Sequence, residues 1–207
     1  MPRTVAIVLA ATLAAAPLAG AQAKFKSTWK APGVTGLTAR GQKIIGLVIS
    51  EDMSLRMSTE EALARALTAR GVQGVAAYRT IPAEEIRDKD RARGWFERTG
   101  ATGVVIMRLV DIASEKEPSV VVWESGTQYT SLWNYYPYAW GATFNLGPAR
   151  TNVFIAVETL AFDVANARLL WAGTSESVNP AGAQALVANI VDAAAAQMRK
   201  DGLIGAR

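Results

Sequence analysis

The chain has 207 residues, half of them apolar and 19% charged, which is enough for one domain with a packed core and excludes global disorder. The net charge of +4 is scattered, with no basic stripe interleaved with aromatics, so nucleic acid is not expected as a partner. With no histidine and no cysteine, Ser-His and Cys-His nucleophile pairs, His-ligated zinc and thiolate sites are all excluded.

In chain order, residues 1–23 read as a secretory signal peptide. Arg3 supplies the positive start, Val5 to Ala16 is apolar but for Thr12, and Pro17 stops a helix. Ala21 and Ala23 place small residues at −3 and −1 of a cleavage site following Ala23. A run of twelve residues, eleven of them apolar, falls well short of the roughly 20 that span a bilayer as a helix. "LAGA", Leu18 to Ala21, has the form of a lipoprotein box with Ala21 in place of the lipidated cysteine, so a free periplasmic or secreted protein is expected. Residues 24–207 are then a single domain.

"KFKSTWKAPGVTG" reads as a short edge strand. "KIIGLVIS" (Lys43 to Ser50) is an apolar run of strand length, as in a strand covered on both faces. In "STEEALARALTARG", Ser58 and Glu61 form a capping box, or the helix starts earlier, near Ser54; Ala62, Leu63, Ala66 and Leu67 share a face and Gly71 ends it. "GVAAYRT" is a second strand. "PAEEIRDKDRARGWFERTG" is one helix or two short ones, with Pro82, Glu84 and Glu85 in a first turn and Trp95 and Phe96 as buried anchors. Asp88 and Asp90 among Lys89, Arg91 and Arg93 are a solvated helix face.

"ATGVVIMRLVDI" is a third strand, and "SVVVWES" with the residues after it a fourth. "TNVFIAVETLAFDV" alternates over strand length, "ANAR" is a tight connection, and "LLWAGTSESV" is the return arm of a hairpin. In the last helix Asn179 is the cap, Pro180 the first helical residue, and Leu186, Ile190, Val191, Ala194 and Met198 the apolar stripe; Gly202 closes it. The order is β-α-β-α-β, an antiparallel meander, then a C-terminal helix: an α/β fold with one mixed sheet and helices packed on it.

Several of these stretches together resemble a group of bacterial envelope lipoproteins built on a domain of unknown function. They are "STWKAPG", "KIIGLVIS" with "EEALARAL", "GVAAYRTIPAEEI", "GATGVVIMRLV", the Trp/Tyr-rich middle, "IAVETLAFDVANARLLWAG" and "DGLI". The resemblance covers nearly all of the mature chain. It implies an α/β domain similar to the N-terminal domain of TolB and the periplasmic domain of the curli secretion channel CsgG. It brings no catalytic residues and no cofactor, and this chain lacks the group's lipidation cysteine.

Two charges interrupt apolar strands, Arg108 in "VVIMRLV" and Glu158 in "FIAVETLAF". Either each points to a solvated sheet face, as period-two alternation allows, or they form a cross-strand ion pair that is costly to break singly. The densest feature is the stretch from Trp123 to Trp140, which holds seven of the sixteen aromatic residues. "SLWNYYPYAWG" shows no sustained period and contains Asn134, Pro137 and Gly141, so an aromatic excursion over about residues 124–149 is expected. Trp133, Tyr135, Tyr136, Tyr138 and Trp140 are its candidate binding residues.

The reading is a non-enzymatic periplasmic binding or accessory protein that needs no cofactor or metal. Its partner would be an envelope protein or a second copy of the chain. A membrane surface, a channel-like assembly and a peptidoglycan or oligosaccharide strand are the alternatives. The excursion would otherwise only cover a sheet edge.

Overall fold

The computed structural model describes residues 23–36, 41–113, 126–142, 154–178 and 183–204. The leader, the "SVVVWES" strand with Trp123, and the Asn179–Pro180 cap lie outside these residues. Six strands and four α-helices are described: β1 (Lys24–Lys30), β2 (Lys43–Ile49), α1 (Met53–Thr68), β3 (Gln73–Ala76), α2 (Lys89–Thr99), β4 (Gly103–Ala113), α3 (Leu132–Gly141), β5 (Phe154–Asp163), β6 (Leu169–Val178) and α4 (Ala183–Lys200). The strands form one sheet in the order β1-β6-β5-β4-β2-β3. β2 runs parallel to β3 and to β4, while β4-β5, β5-β6 and β6-β1 are antiparallel. The mixed α/β sheet expected from the sequence is the sheet observed.

Period-two alternation sends successive side chains to opposite faces, and both faces are covered. On one face Ile44, Val48, Val105, Met107, Val157 and Ala161 pack with Leu63 and Leu67 of α1 and with Leu186, Ile190, Val191, Ala194 and Met198 of α4. On the other, Ile45, Leu47, Val104, Ile106, Leu160 and Phe162 pack with Phe96 of α2 and with Leu132, Tyr135, Tyr136 and Ala139 of α3. The C-terminal helix thus lies on the sheet beside α1, and the ring-rich segment lies on the opposite side beside α2.

Helix boundaries follow the local chemistry. α1 starts five residues before Ser58: Asp52 is its cap, accepting from the Leu55 N–H at 3.0 Å. Ser58 sits in mid-helix, its hydroxyl donating to the Leu55 carbonyl. The Ser58–Glu61 capping box is therefore not formed. The Asp52 carboxylate, three residues past the end of β2, supplies the cap, and Glu61 instead pairs with Arg79 at 2.9 Å. Residues 82–88 make turns rather than a helix, with the Ile86 N–H donating to the Pro82 carbonyl. Asp88 then caps α2, accepting from the Asp90 and Arg91 N–H groups; those hydrogen bonds, the Arg91 one foremost, hold its carboxyl below the usual aspartate range. Gly100, at φ 66°, ends α2 in the left-handed conformation. α4 ends in a Schellman turn, with Leu203 N–H on the Met198 carbonyl and Gly202 N–H on that of Arg199. The indole of Trp171, fully buried in β6, donates to Asp201 at 2.6 Å and ties that end to the sheet.

Two contacts seat α1. A Cβ added at Gly74 would lie 2.1 Å from the Ala64 carbonyl oxygen, so only glycine lets β3 approach the helix backbone this closely. Glu60, fully buried, accepts the Val48 N–H at 3.1 Å and the Tyr78 N–H at 2.7 Å. β2 and β3 pair only as far as Gly46 and Ala76, and the carboxylate takes over where their ladder stops. Burial pushes its pKa up to about 7, against the opposing pull of the two N–H groups and Arg56.

Gly74→Ala is expected to destabilise the fold by about 1–3 kcal/mol in urea titration, the range for overpacking against a backbone that cannot give way. For Glu60 the folded state holds the proton more tightly than the unfolded chain does. Its contribution is therefore fully present below pH 4.5, the ordinary value, and is lost as the pH rises to about 7. Wild-type stability relative to Glu60→Gln should fall by about 3 kcal/mol across that window, read from paired denaturation curves.

Candidate functional site

The segment expected to be an aperiodic excursion is a helix where the structure describes it. Ser131 caps α3, its hydroxyl accepting from the Trp133 N–H. The sequence hides this for two physical reasons. Pro137 stands inside the helix, removing one N–H, and it does so on the exposed side, where the loss disturbs no packing. Rings also point three ways at once, so no apolar-polar alternation appears.

The five candidate residues accordingly divide. Tyr135 and Tyr136 are fully buried and Trp133 and Trp140 are half-buried, while Tyr138 is 39% exposed. Tyr135 and Tyr136 are anchors of the core and present no surface, which corrects their expected place in a wet cluster. The Tyr136 hydroxyl donates to the Ile86 carbonyl, and its ring meets Phe96 edge to face at 6.3 Å. Trp133, Tyr136 and Trp140, at i, i+3 and i+7, form the stripe that α3 turns toward α2; Trp133 packs on Phe96 at 5.9 Å and Trp140 on Tyr136 at 6.4 Å.

Tyr135 faces the sheet, and there the two strand charges meet. Arg108 and Glu158 are register partners across β4 and β5, 4% and 3% exposed. The guanidinium donates from Nε and Nη2 to Glu158 Oε2 at 3.1 and 3.0 Å. The Tyr135 hydroxyl donates to the same oxygen at 2.9 Å. Arg108 Nη1 donates to the carbonyl of Ala142, the C-cap of α3, at 3.1 Å. Of the two sequence readings for Arg108 and Glu158, the buried ion pair is the one formed. It binds both ends of α3's inner face, a phenol from its first turn and a carbonyl at its close. Burial, reinforced by the Glu158 charge, raises the pKa of Tyr135 well above the ordinary phenol value, and raises that of Tyr129 in the same order of causes. These tyrosines remain protonated donors toward Glu158 throughout the physiological range.

The outer surface of the α2–α3 layer has a different chemistry. Arginines lie over the half-exposed rings: Arg93 over Trp133 at 5.6 Å, Arg87 over Trp140 at 5.4 Å, Arg98 over Trp95 at 4.2 Å. Arg108 also reaches Tyr138, 5.1 Å from its ring centroid. The Trp95 indole donates to Glu85, so Glu85, expected in a helix first turn, instead orients a ring. Trp95, expected as a buried anchor, is half-buried, while its neighbour Phe96 fills the core. Sequence reading misses Glu60 and the ring-covering role of Arg87, Arg93 and Arg98. A charge on a helix surface gives no local sign of which ring a distant segment will place beneath it.

Single substitutions separate the members of this network. Glu158→Ala leaves Arg108 buried without its carboxylate and is expected to cost about 3–5 kcal/mol, against less than about 0.5 kcal/mol for an exposed control such as Glu84→Ala. Tyr135→Phe removes one donor from an oxygen that keeps two and should cost about 1 kcal/mol. Equilibrium unfolding in urea measures all three.

No protein-family model matches the chain, and no curated protein matches its sequence. Among solved structures, the PelC dodecamer from Paraburkholderia phytofirmans is similar over 82% of this chain and 94% of its own, with 15% identity and a TM-score of 0.45. A single-residue variant of that PelC gives a TM-score of 0.47, also at 15% identity, over 82% and 95% of the two chains. Lipoprotein GNA1162 from Neisseria meningitidis is similar over 78% of this chain and 97% of its own, at 13% identity and a TM-score of 0.40. A likeness at this level says nothing of what this chain binds.

Proposed function

We propose that this chain is a non-enzymatic accessory or binding protein of the bacterial cell envelope, exported by its leader and free in the periplasm or secreted. In this reading the outer surface of the α2–α3 layer meets a protein partner, which includes a second copy of the chain. The observation that carries it is the set of half-exposed indoles Trp95, Trp133 and Trp140, each lying under an arginine. Tryptophan, tyrosine and arginine are the residues in which binding energy concentrates at protein interfaces. Rings held from beneath by a packed core lose little freedom on binding, so contacts to them cost little ordering entropy. Tyr138, between this surface and Arg108, extends it along α3.

The non-enzymatic reading has its own support. Among the described residues the two buried carboxylates are engaged in holding the fold: Glu60 by two backbone N–H groups, Glu158 by Arg108 and Tyr135. Among the described residues no helix is long and apolar enough to cross a membrane, and the arginines favour a polar, anionic counter-surface over a hydrocarbon one.

The test uses the mature chain and the triple variant Arg87→Glu, Arg93→Glu, Arg98→Glu, whose side chains lie outside the core. Site-specific crosslinking from Tyr138 in intact cells, with light scattering on the purified protein, should give one discrete protein adduct or a defined oligomer. The triple variant, with an unchanged melting curve, should reduce it at least about tenfold, as expected for hot-spot contacts. Full retention by the variant contradicts the reading. Liposome flotation or peptidoglycan pelleting of the wild type without any protein adduct replaces it with a lipid or glycan surface.

A further inference from the structure

The first two turns of α1 contain a buried cation with too few acceptors. Arg56 is 4% exposed. Its Nη2 donates to the thioether sulfur of Met53 at 3.3 Å. Its Nε stands 3.9 Å from Glu60 Oε1, beyond hydrogen-bond range, and has no hydrogen-bond partner among the described residues. The Glu60 oxygens are already engaged by the Val48 and Tyr78 N–H groups. A thioether is a weak acceptor, and a buried charged donor left short of acceptors is costly. Met53 itself is 45% exposed, whereas Met107 and Met198 are each 2% exposed. The methionine that Arg56 leans on is thus an exposed residue.

We propose that Met53 is an oxidation site whose sulfoxide completes the acceptor set of Arg56. With a peroxide as oxidant, a sulfur lone pair attacks one peroxide oxygen and the O–O bond breaks. The oxygen bonded to sulfur gives up its proton, and the departing hydroxide takes up one proton and leaves as water. Sulfur loses two electrons, the peroxide gains them, and one oxygen stays on the sulfur. That oxygen is a far stronger acceptor than the thioether and lies within reach of the guanidinium that the sulfur already contacts. Methionine oxidation ordinarily harms a fold by placing a polar group in apolar packing. Here the new group stands at the exposed start of a helix, beside a guanidinium whose Nη2 has a thioether as its acceptor. A chain without cysteine has no thiol to take the oxidant first, which leaves exposed thioethers as the reactive sulfurs. The site lies on α1, across the sheet from the α2–α3 surface, and does not depend on the partner reading.

The experiment uses the mature protein carrying Met57→Leu, since Met57 is also exposed, at 39%. After dilute hydrogen peroxide, peptide mass mapping should show one added oxygen on the Met53 peptide before those of Met107 and Met198. The melting temperature should rise by about 2 °C, and methionine sulfoxide reductase should return it to its starting value. The Arg56 Nε–H cross-peak in a nitrogen–proton correlation spectrum should shift on oxidation. Met53→Leu, treated alike, should show neither the rise nor the shift. Oxidation of Met53 no faster than of Met107, an unchanged or lowered melting temperature, or an unmoved Arg56 signal overturns the proposal.

Discussion

A guanidinium and a carboxylate face each other across β4 and β5, sealed from water, and the placement of α3 depends on that pair. Neither charge is tolerable alone in the interior. Each partner also bonds α3: Tyr135 donates to Glu158, and the Ala142 carbonyl accepts from Arg108. Helix position is therefore set by directional contacts at both ends, where apolar packing alone would leave room to slide. That constraint gives the layer its inner face of Leu132, Tyr135, Tyr136 and Ala139, and leaves Trp133, Tyr138 and Trp140 facing outward or into the seam with α2.

The other side of the sheet follows the same logic at lower charge. Glu60 replaces the missing end of the β2–β3 ladder, Gly74 lets the helix close on the strand, and Trp171 with Asp201 fastens the end of α4. Each is a polar or steric device at a place where regular pairing stops. Between them the apolar faces of α1 and α4 pack on the sheet. The domain thus separates its tasks by layer: α1 and α4 stabilise the sheet, and α2 and α3 cover the opposite face while presenting rings and arginines outward.

How much of this is legible in the sequence differs by element. The apolar runs of Lys43–Ile49 and Gly103–Ala113 and the hairpin of Phe154–Val178 can be read because strand periodicity and turn residues agree there, and they determine the sheet and its mixed polarity. Arg108 and Glu158 stand out as charges within apolar runs, but their register, and so their pairing, is a property of two strands 50 residues apart. The helix at Leu132–Gly141 is hidden by Pro137 and by rings on every side. The same stretch therefore reads as wet, and two of its five candidates prove to be core. Glu60 gives no signal at all: within "STEEAL" it looks like any solvated helix carboxylate, and only the arrival of β2 and the Tyr78 backbone makes it structural.

Hydrogen exchange of the α3 amides, residues 132–141, in wild type and Glu158→Gln tests the central claim most directly. Loss of the carboxylate's charge should leave the β5–β6 amides protected while α3 exchanges at least about tenfold faster, as a unit released from the sheet. Unchanged protection of α3 in that variant would show that apolar packing alone holds the helix, and that the Arg108–Glu158 pair does not position the ring-bearing surface.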